Sequence, residues 1–296
     1  LIGKLLNGAY KVGELVGGGG QGQLYEAVDI DTGRRVAVKV LSPRSFEGTD
    51  TFRHRREAME TEGARGLHLL GTPGIPEVQW HGPHGDGWCI VMDWVDGVLL
   101  EDAMLDASPV KSPATVAAVI GQLCGILEHV HAAGFVHRDI KPANVMIESA
   151  GGRLKLLDLG LAGIAGQLPV HLGGTTGYSA PEQFDAEQEV TVASDIYALG
   201  CVILAMTVMR LPYGGGAGRP TPGVPPLPRG EMECVPPKIR DLAMSMVAWH
   251  PGDRPASVKE VLACLRSVLP GPGDRPPAKP LVPDPTLPYL EGYLLR

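Results

Sequence analysis

The first ninety residues are punctuated into short runs of β-favouring residues. Tyr10–Val16, Gln23–Asp29 and Arg35–Leu41 are three such runs. They are separated by the glycine segment Gly17–Gly22 and by the Asp31-Thr32-Gly33 turn, which predicts strands joined by hairpins. Phe52–Leu70 reads as a helix, rich in Arg and Glu with spaced apolar residues. Two further strands are predicted at Pro76–His81 and Trp88–Trp94. From Ser112 onward the period becomes helical. Ser112-Pro113 has the form of an N-cap followed by proline at the first helical position. The stripe Val116, Val119, Ile120, Leu123, Ile126, Leu127, Val130 then predicts a helix over Thr115–Ala132. A β-rich front and an α-rich back predict an α+β molecule of two unequal lobes.

Two segments break the pattern. Pro212–Gly230 contains six Pro and six Gly, and Pro270–Pro288 contains eight Pro. Both compositions favour loop or extended backbone over packed helix. The longest apolar run, Tyr197–Met209, has 13 residues. A membrane span needs about 20, so this run is expected to be a buried helix and no span is expected in the chain.

Composition narrows the function classes. The chain has 296 residues, 44% hydrophobic and 20% charged, enough to bury a sizeable core. Its net charge of −7 argues against nonspecific nucleic-acid binding. Cys89, Cys124, Cys201, Cys234 and Cys264 are scattered and form no C-x-x-C pair. They read as reduced thiols of a cytoplasmic protein rather than as zinc ligands or a disulfide framework. The chain starts at Leu1 rather than Met, which is consistent with a piece of a longer protein.

Four short motifs carry chemistry. Gly17-Gly18-Gly19-Gly20-Gln21-Gly22 fits G-x-G-x-x-G, whose backbone can approach phosphate oxygens. By itself it reads more readily as a tight turn between strands. No Gly-Lys-Ser/Thr follows, so it is not a Walker loop. Val36-Ala37-Val38-Lys39 is a strand ending in one cation. The sharpest signal is His137-Arg138-Asp139-Ile140-Lys141-Pro142-Ala143-Asn144. One loop there supplies a carboxylate for a hydroxyl proton, a cation for a transferring phosphoryl group, and a carboxamide oxygen for Mg²⁺. Finally, the strand-like run Leu154-Lys155-Leu156-Leu157 leads into Asp158-Leu159-Gly160, placing a hard oxygen ligand 14 residues after Asn144.

In this order, together with Ala180-Pro181-Glu182, these motifs resemble the eukaryotic-type (Hanks-type) protein kinases. The likeness runs from about Tyr10 to about Leu269. Lys141, two residues after Asp139, resembles serine/threonine rather than tyrosine kinases, and the chain looks most like the bacterial branch. The resemblance implies an ATP-binding N-lobe over residues 1–95, a C-lobe over 96–269, and a proline-rich tail or linker over 270–296. It implies ATP and Mg²⁺ (or Mn²⁺) as cofactors and proteins as substrates; control by a regulatory partner or flanking domain is a further expectation, drawn from the unusual segment 161–173. Asp139 would be the catalytic base, and Lys141 would steady the γ-phosphate. Asn144 and Asp158 would hold the metal, and Lys39 would bind the α/β-phosphates. Gly17, Gly19 and Gly22 would cover the phosphates. Val16, Leu24, Ala37 and Met146 would sandwich adenine. Met92 would be the gatekeeper, with the backbone of Asp93 and Val95 bonding the base. Glu182 and Arg254 would form a buried ion pair, and Asp195 would brace the catalytic loop from a central helix.

Three positions depart from the family pattern. The glutamate partner of Lys39 is Glu57 by counting forward and Glu62 by counting back from Gly71-Thr72-Pro73. We take Glu62, because Met59 and Leu69 then fall on apolar positions. Leu159 stands where Phe is usual. Residues 161–173 contain no Ser, Thr or Tyr, so activity is expected without phosphorylation of that segment, and Thr175 is read as structural. The rival readings are a pseudokinase acting as a nucleotide-binding scaffold, and a small-molecule phosphotransferase of related fold.

Overall fold

In Arg35–Leu41 the β-branched residues alternate, and Val36, Val38 and Val40 all face one buried side. A strand this apolar belongs in the middle of a sheet. A computed structural model describes residues 1–19, 22–43, 47–107, 109–110, 112–168, 174–214, 224, 226–227 and 230–294. The chain divides into two units, Leu1–Val95 and Asp96–Arg296.

The first unit is a six-stranded antiparallel sheet and one helix. Its strands are β1 (Leu5–Leu6), β2 (Tyr10–Gly19), β3 (Gly22–Asp29), β4 (Arg35–Leu41), β5 (Val78–His84) and β6 (Gly87–Asp93), in the order β1-β2-β3-β4-β6-β5. The helix α1 (Thr49–His68) crosses between β4 and β5. The glycine segment differs from the expectation of a separate loop. β2 continues to Gly19, which pairs with Gly22 across the hairpin. Gly20 and Gln21 lie outside the described residues. Helix α1 also begins three residues before the predicted Phe52. It packs closely on the sheet because Gly63 and Gly66 face β5, where an added Cβ would overlap His81 or Val78. The face of the sheet beneath it is built from Leu41, Trp88, Ile90 and Val78, with Met59 from the helix.

The second unit begins with β7 (Gly97–Leu99), α2 (Leu100–Ala107) and α3 (Pro113–Ala132). The Ser112 hydroxyl accepts the Thr115 N–H and caps α3, with Pro113 inside the first turn. By length and composition α3 could cross a membrane, but 72% of that apolar window is buried inside the unit. Short strands follow: β8 (Phe135–Val136), β9 (Val145–Glu148), β10 (Leu154–Leu156) and β11 (Gly163–Ile164). β10-β9-β7 form one small sheet, and β11 pairs with β8.

Helix α4 (Val192–Val208) contains the predicted apolar run except Met209, which caps it and is exposed, and is buried from Ala193 to Thr207. A helix apolar on every side belongs in a core. α5 (Pro237–Met246) and α6 (Val258–Leu265) complete the helical layer. Within Pro212–Gly230, residues 215–223, 225 and 228–229 lie outside the described residues.

The proline-rich tail differs from the picture of a loose linker. It carries little regular structure, as its composition implies. Even so, Leu281, Thr286 and Tyr289 are buried, and the chain closes in the short helix α7 (Leu287–Leu290). Spaced apolar residues between the prolines give the tail something to bury, and proline lowers the entropy of holding it extended.

A charged pair lies deep in this unit. Arg254 donates from Nη1 and Nη2 to the Glu182 carboxylate at 2.7 and 3.0 Å. Its remaining donors reach the carbonyls of Ala193, Ala248 and Trp249. Ser194 donates a further bond to Glu182. Both side chains are essentially solvent-free. Removing one member of such a pair strands a buried charge. Arg254→Met is therefore expected to lower unfolding stability by about 3–5 kcal/mol, read as the midpoint of denaturant unfolding. Glu182→Gln is expected to destabilise as well.

Candidate active site

Two groups of polar side chains are assembled, one in each unit. In the first, Lys39 lies on the face of β4 that meets α1. Its ammonium donates to Glu62 Oε1 and Oε2 at 2.7 and 2.8 Å, with only 13% and 10% of the two side chains exposed. Glu57 is on the solvent side of the helix. Five residues turn a helix by about 140° beyond one revolution, so Glu57 and Glu62 cannot both face the sheet. The acid facing Lys39 is Glu62.

The predicted adenine-contact residues of this unit sit on adjacent strands. Ala37 pairs with Met92, Leu24 with both Lys39 and Gly17. Val16 is half exposed on β2. The Asp93 N–H is bonded to the Glu77 carbonyl at 2.9 Å. Val95 ends the unit, and Met146 belongs to the second unit, on β9 opposite Lys155.

In the second unit the loop after β8 is built on Asp195. This carboxylate has no solvent exposure. It accepts the backbone N–H groups of His137 and Arg138 at 2.9 and 2.8 Å and a bond from His131 Nε2 at 2.8 Å. Burial pushes the Asp195 carboxyl up, but the His131 hydrogen bond and the nearby positive and N–H groups outweigh it and hold it low. The anchoring permits an unfavourable backbone at Arg138, whose φ is +70°. Gln183 donates to the Arg138 carbonyl at 3.0 Å from the far side.

Asp139 follows directly. Its Oδ1 accepts the Thr175 hydroxyl at 2.6 Å. Its Oδ2 accepts Lys141 Nζ at 2.9 Å and Asn144 Nδ2 at 2.8 Å. Lys141 also donates to Thr175 at 2.6 Å. Desolvation raises the Asp139 pKa, but the bonds from Lys141 and Thr175 outweigh it, and the group stays below the ordinary aspartate range. A carboxylate so held is ionised at neutral pH and can orient a hydroxyl or accept its proton.

Asn144 commits its NH₂ group to Asp139, donating to both the backbone carbonyl and the carboxylate. Its amide oxygen is the atom left for a cation. The Leu157 N–H donates to the Asn144 carbonyl at 2.8 Å, which sets Asp158 beside that loop. Asp158 has a left-handed backbone, φ +63°, and accepts the Gly160 N–H at 3.0 Å. A carboxamide and a carboxylate oxygen are donors suited to Mg²⁺. The donor set therefore fits a divalent ion bound together with phosphate.

Thr175, His131 and Gln183 are site residues that sequence reasoning missed or undervalued. Thr175 is the first hydroxyl after Ser149, at the end of a 25-residue gap, and that isolation was the available signal. His131 and Gln183 carried none, because their partners are 64 and 45 positions away.

The protein kinase domain family matches residues 10–263. The chain belongs to the protein kinase family. Its relatives are bacterial serine/threonine kinases. It is 32% identical over 305 aligned residues to the serine/threonine-protein kinase PknA of Mycobacterium tuberculosis, with 96% of this chain and 66% of that protein covered. It is 33% identical to PrkC of Bacillus subtilis, covering 73% of this chain and 33% of that protein. It is 32% identical to PknB of Mycolicibacterium smegmatis, covering 90% and 44%. The kinase chain thus spans no more than about two thirds of the length of these relatives. The Hanks-type serine/threonine resemblance and the α+β kinase fold stand on these matches.

The Thr175 hydroxyl supplies a testable dependence on pH. Thr175→Val removes a donor that favours the ionised Asp139, so the Asp139 pKa rises. The acidic limb of a kcat/KM–pH profile for phosphoryl transfer is expected to move to higher pH in this variant, whereas an unchanged limb would remove Thr175 from the proton chemistry.

Proposed function

We propose that this chain transfers the γ-phosphoryl group of Mg·ATP to Ser or Thr hydroxyls of proteins, and that it does so without phosphorylation of its activation segment. The observation that carries the reading is the Asp139 carboxylate, ionised and held at both oxygens by Lys141, Thr175 and Asn144. Asp139 would orient the attacking hydroxyl and take its proton. Lys141, already beside that carboxylate, would meet the charge on the transferring group. Lys39, fixed by Glu62, would bind the α/β-phosphates, with Gly17, Gly19 and Gly22 covering them from the hairpin. Asn144 and Asp158 would hold the divalent ion, which when bound neutralises phosphate charge. Val16, Leu24, Ala37, Met92 and Met146 would enclose adenine, with the Asp93 and Val95 backbone reading its edge. Within this reading, residues 1–95 and 96–269 act as the two lobes of one kinase domain.

Independence from loop phosphate is supported by the sequence of residues 161–173, which offers no hydroxyl, and by a Lys39–Glu62 pair formed in the unmodified chain. Residues 169–173 lie outside the described residues. A reducing cytoplasmic setting is supported by Cys89, Cys124 and Cys201, which are buried and unpaired.

The test is label transfer from γ-labelled ATP to a generic protein substrate, using chain first treated with phosphatase and checked by intact mass. Transfer is expected to persist, and Asp139→Asn is expected to reduce it by about 10²–10⁴-fold. Nucleotide binding without transfer would favour a pseudokinase. Activity that returned only with phosphate on Thr175 or Thr176 would contradict the proposed independence.

A further inference from the structure

The strands β9 and β10 form a hairpin with Val145 opposite Leu156 at its open end. Asn144 immediately precedes that end and Asp158 lies just beyond it. The closed end is the turn around Gly151 and Gly152. At about 3.3 Å per residue, the turn lies roughly 20 Å along the hairpin from the two candidate metal ligands. Whatever fixes the turn therefore bears on their spacing.

Three contacts fix it, and two come from the proline-rich tail. Gln122 of α3 is buried and uses its whole carboxamide. Its Nε2 amide group donates to the Gly152 carbonyl at 3.1 Å and to the tail carbonyl of Pro285 at 2.9 Å. Its oxygen accepts the Leu154 N–H at 2.9 Å. One side chain thus joins helix, hairpin and tail. Gly152 meets the tail directly: its φ is +65°, and a Cβ there would overlap the Asp284 carbonyl. Arg153, the next residue, lies 5.5 Å from the ring centre of Tyr293 in the tail.

The tail is itself anchored. Tyr289 is 2% exposed and lies against α3 at Gly121, where a Cβ would meet its hydroxyl. The Asp284 carboxylate accepts both the N–H and the hydroxyl of Thr286, at 2.9 and 2.7 Å, which shapes the turn into α7. We propose that residues 281–293 are a brace for the β9–β10 hairpin, with Gln122 and Tyr289 as positioning residues that hold the spacing of Asn144 and Asp158. The consequence for metal rests on the kinase reading above. The brace itself does not.

The experiment uses the full chain and three variants: Gln122→Leu, Tyr289→Ala and the milder Asp284→Ala. Two quantities are read. One is amide hydrogen exchange at Lys155 and Leu157, on the side of β10 that bonds to β9, without nucleotide. The other is Mn²⁺ affinity in the presence of ADP, by electron paramagnetic resonance. Faster exchange in the hairpin is expected in all three. Mn²⁺ affinity should fall by about 10-fold in Gln122→Leu and Tyr289→Ala, the lower end for partners outside the ligand set, and less in Asp284→Ala. If one of the larger substitutions prevents folding, Asp284→Ala retains the test. A tail that only added stability would lower the melting temperature but leave Mn²⁺ affinity unchanged, which would overturn the brace. Unchanged exchange would overturn it as well. Failure of the wild-type chain to bind Mn²⁺·ADP would instead overturn the role given to Asn144 and Asp158, and would be seen before any variant was made.

Discussion

A carboxylate with no solvent exposure needs donors, and Asp195 obtains them from the loop that carries Asp139. Desolvating a charge is costly unless its lone pairs are matched. Here two backbone N–H groups and one imidazole nitrogen match them. Each hydrogen bond to a charged group contributes about 1.5–3 kcal/mol, so the loop and α4 hold one another in a single arrangement. The positive φ of Arg138 is retained because this network over-determines it. The stabilising effect follows the ionised state of Asp195. Its carboxyl is held below the ordinary aspartate range, so the contribution is complete above about pH 4 and is lost as pH falls through the lowered value.

The same logic recurs in the second unit. Glu182 and Arg254 are buried with their hydrogen-bonding groups matched, and the neighbouring Gln183 reaches back to the Arg138 carbonyl. The segment carrying Thr175 is thereby tied to the loop it meets. In the first unit Lys39 and Glu62 pair in a nearly dry setting, made accessible by two glycines that let α1 approach β5. Apolar packing fixes where the elements lie. These few matched charges fix which way the chemical groups point.

Much of this was legible in the chain. The strands and long helices follow from β-branched runs and from the stripe Val116–Val130, because burial imposes a period of two or 3.6. The motif loops were legible because each requires several residue types close together. The choice between Glu57 and Glu62 turned on the length of α1, which local spacing alone did not settle. The docking of the tail was hidden for a related reason. Proline content reports backbone preference, while the burial of Tyr289 depends on Gly121, far away in sequence. Thr175 was read as structural from the family pattern alone, and its bond to Asp139 was hidden because the two are 36 positions apart.

Asp195 holds the loop that carries Asp139 in place before any ligand arrives. Amide hydrogen exchange at His137 and Arg138 in the ligand-free chain at neutral pH is the measurement to make. Both amides are expected to exchange only as slowly as global unfolding allows, in line with the core of α4. Exchange at the rate of an exposed loop, with α4 still protected, would contradict it.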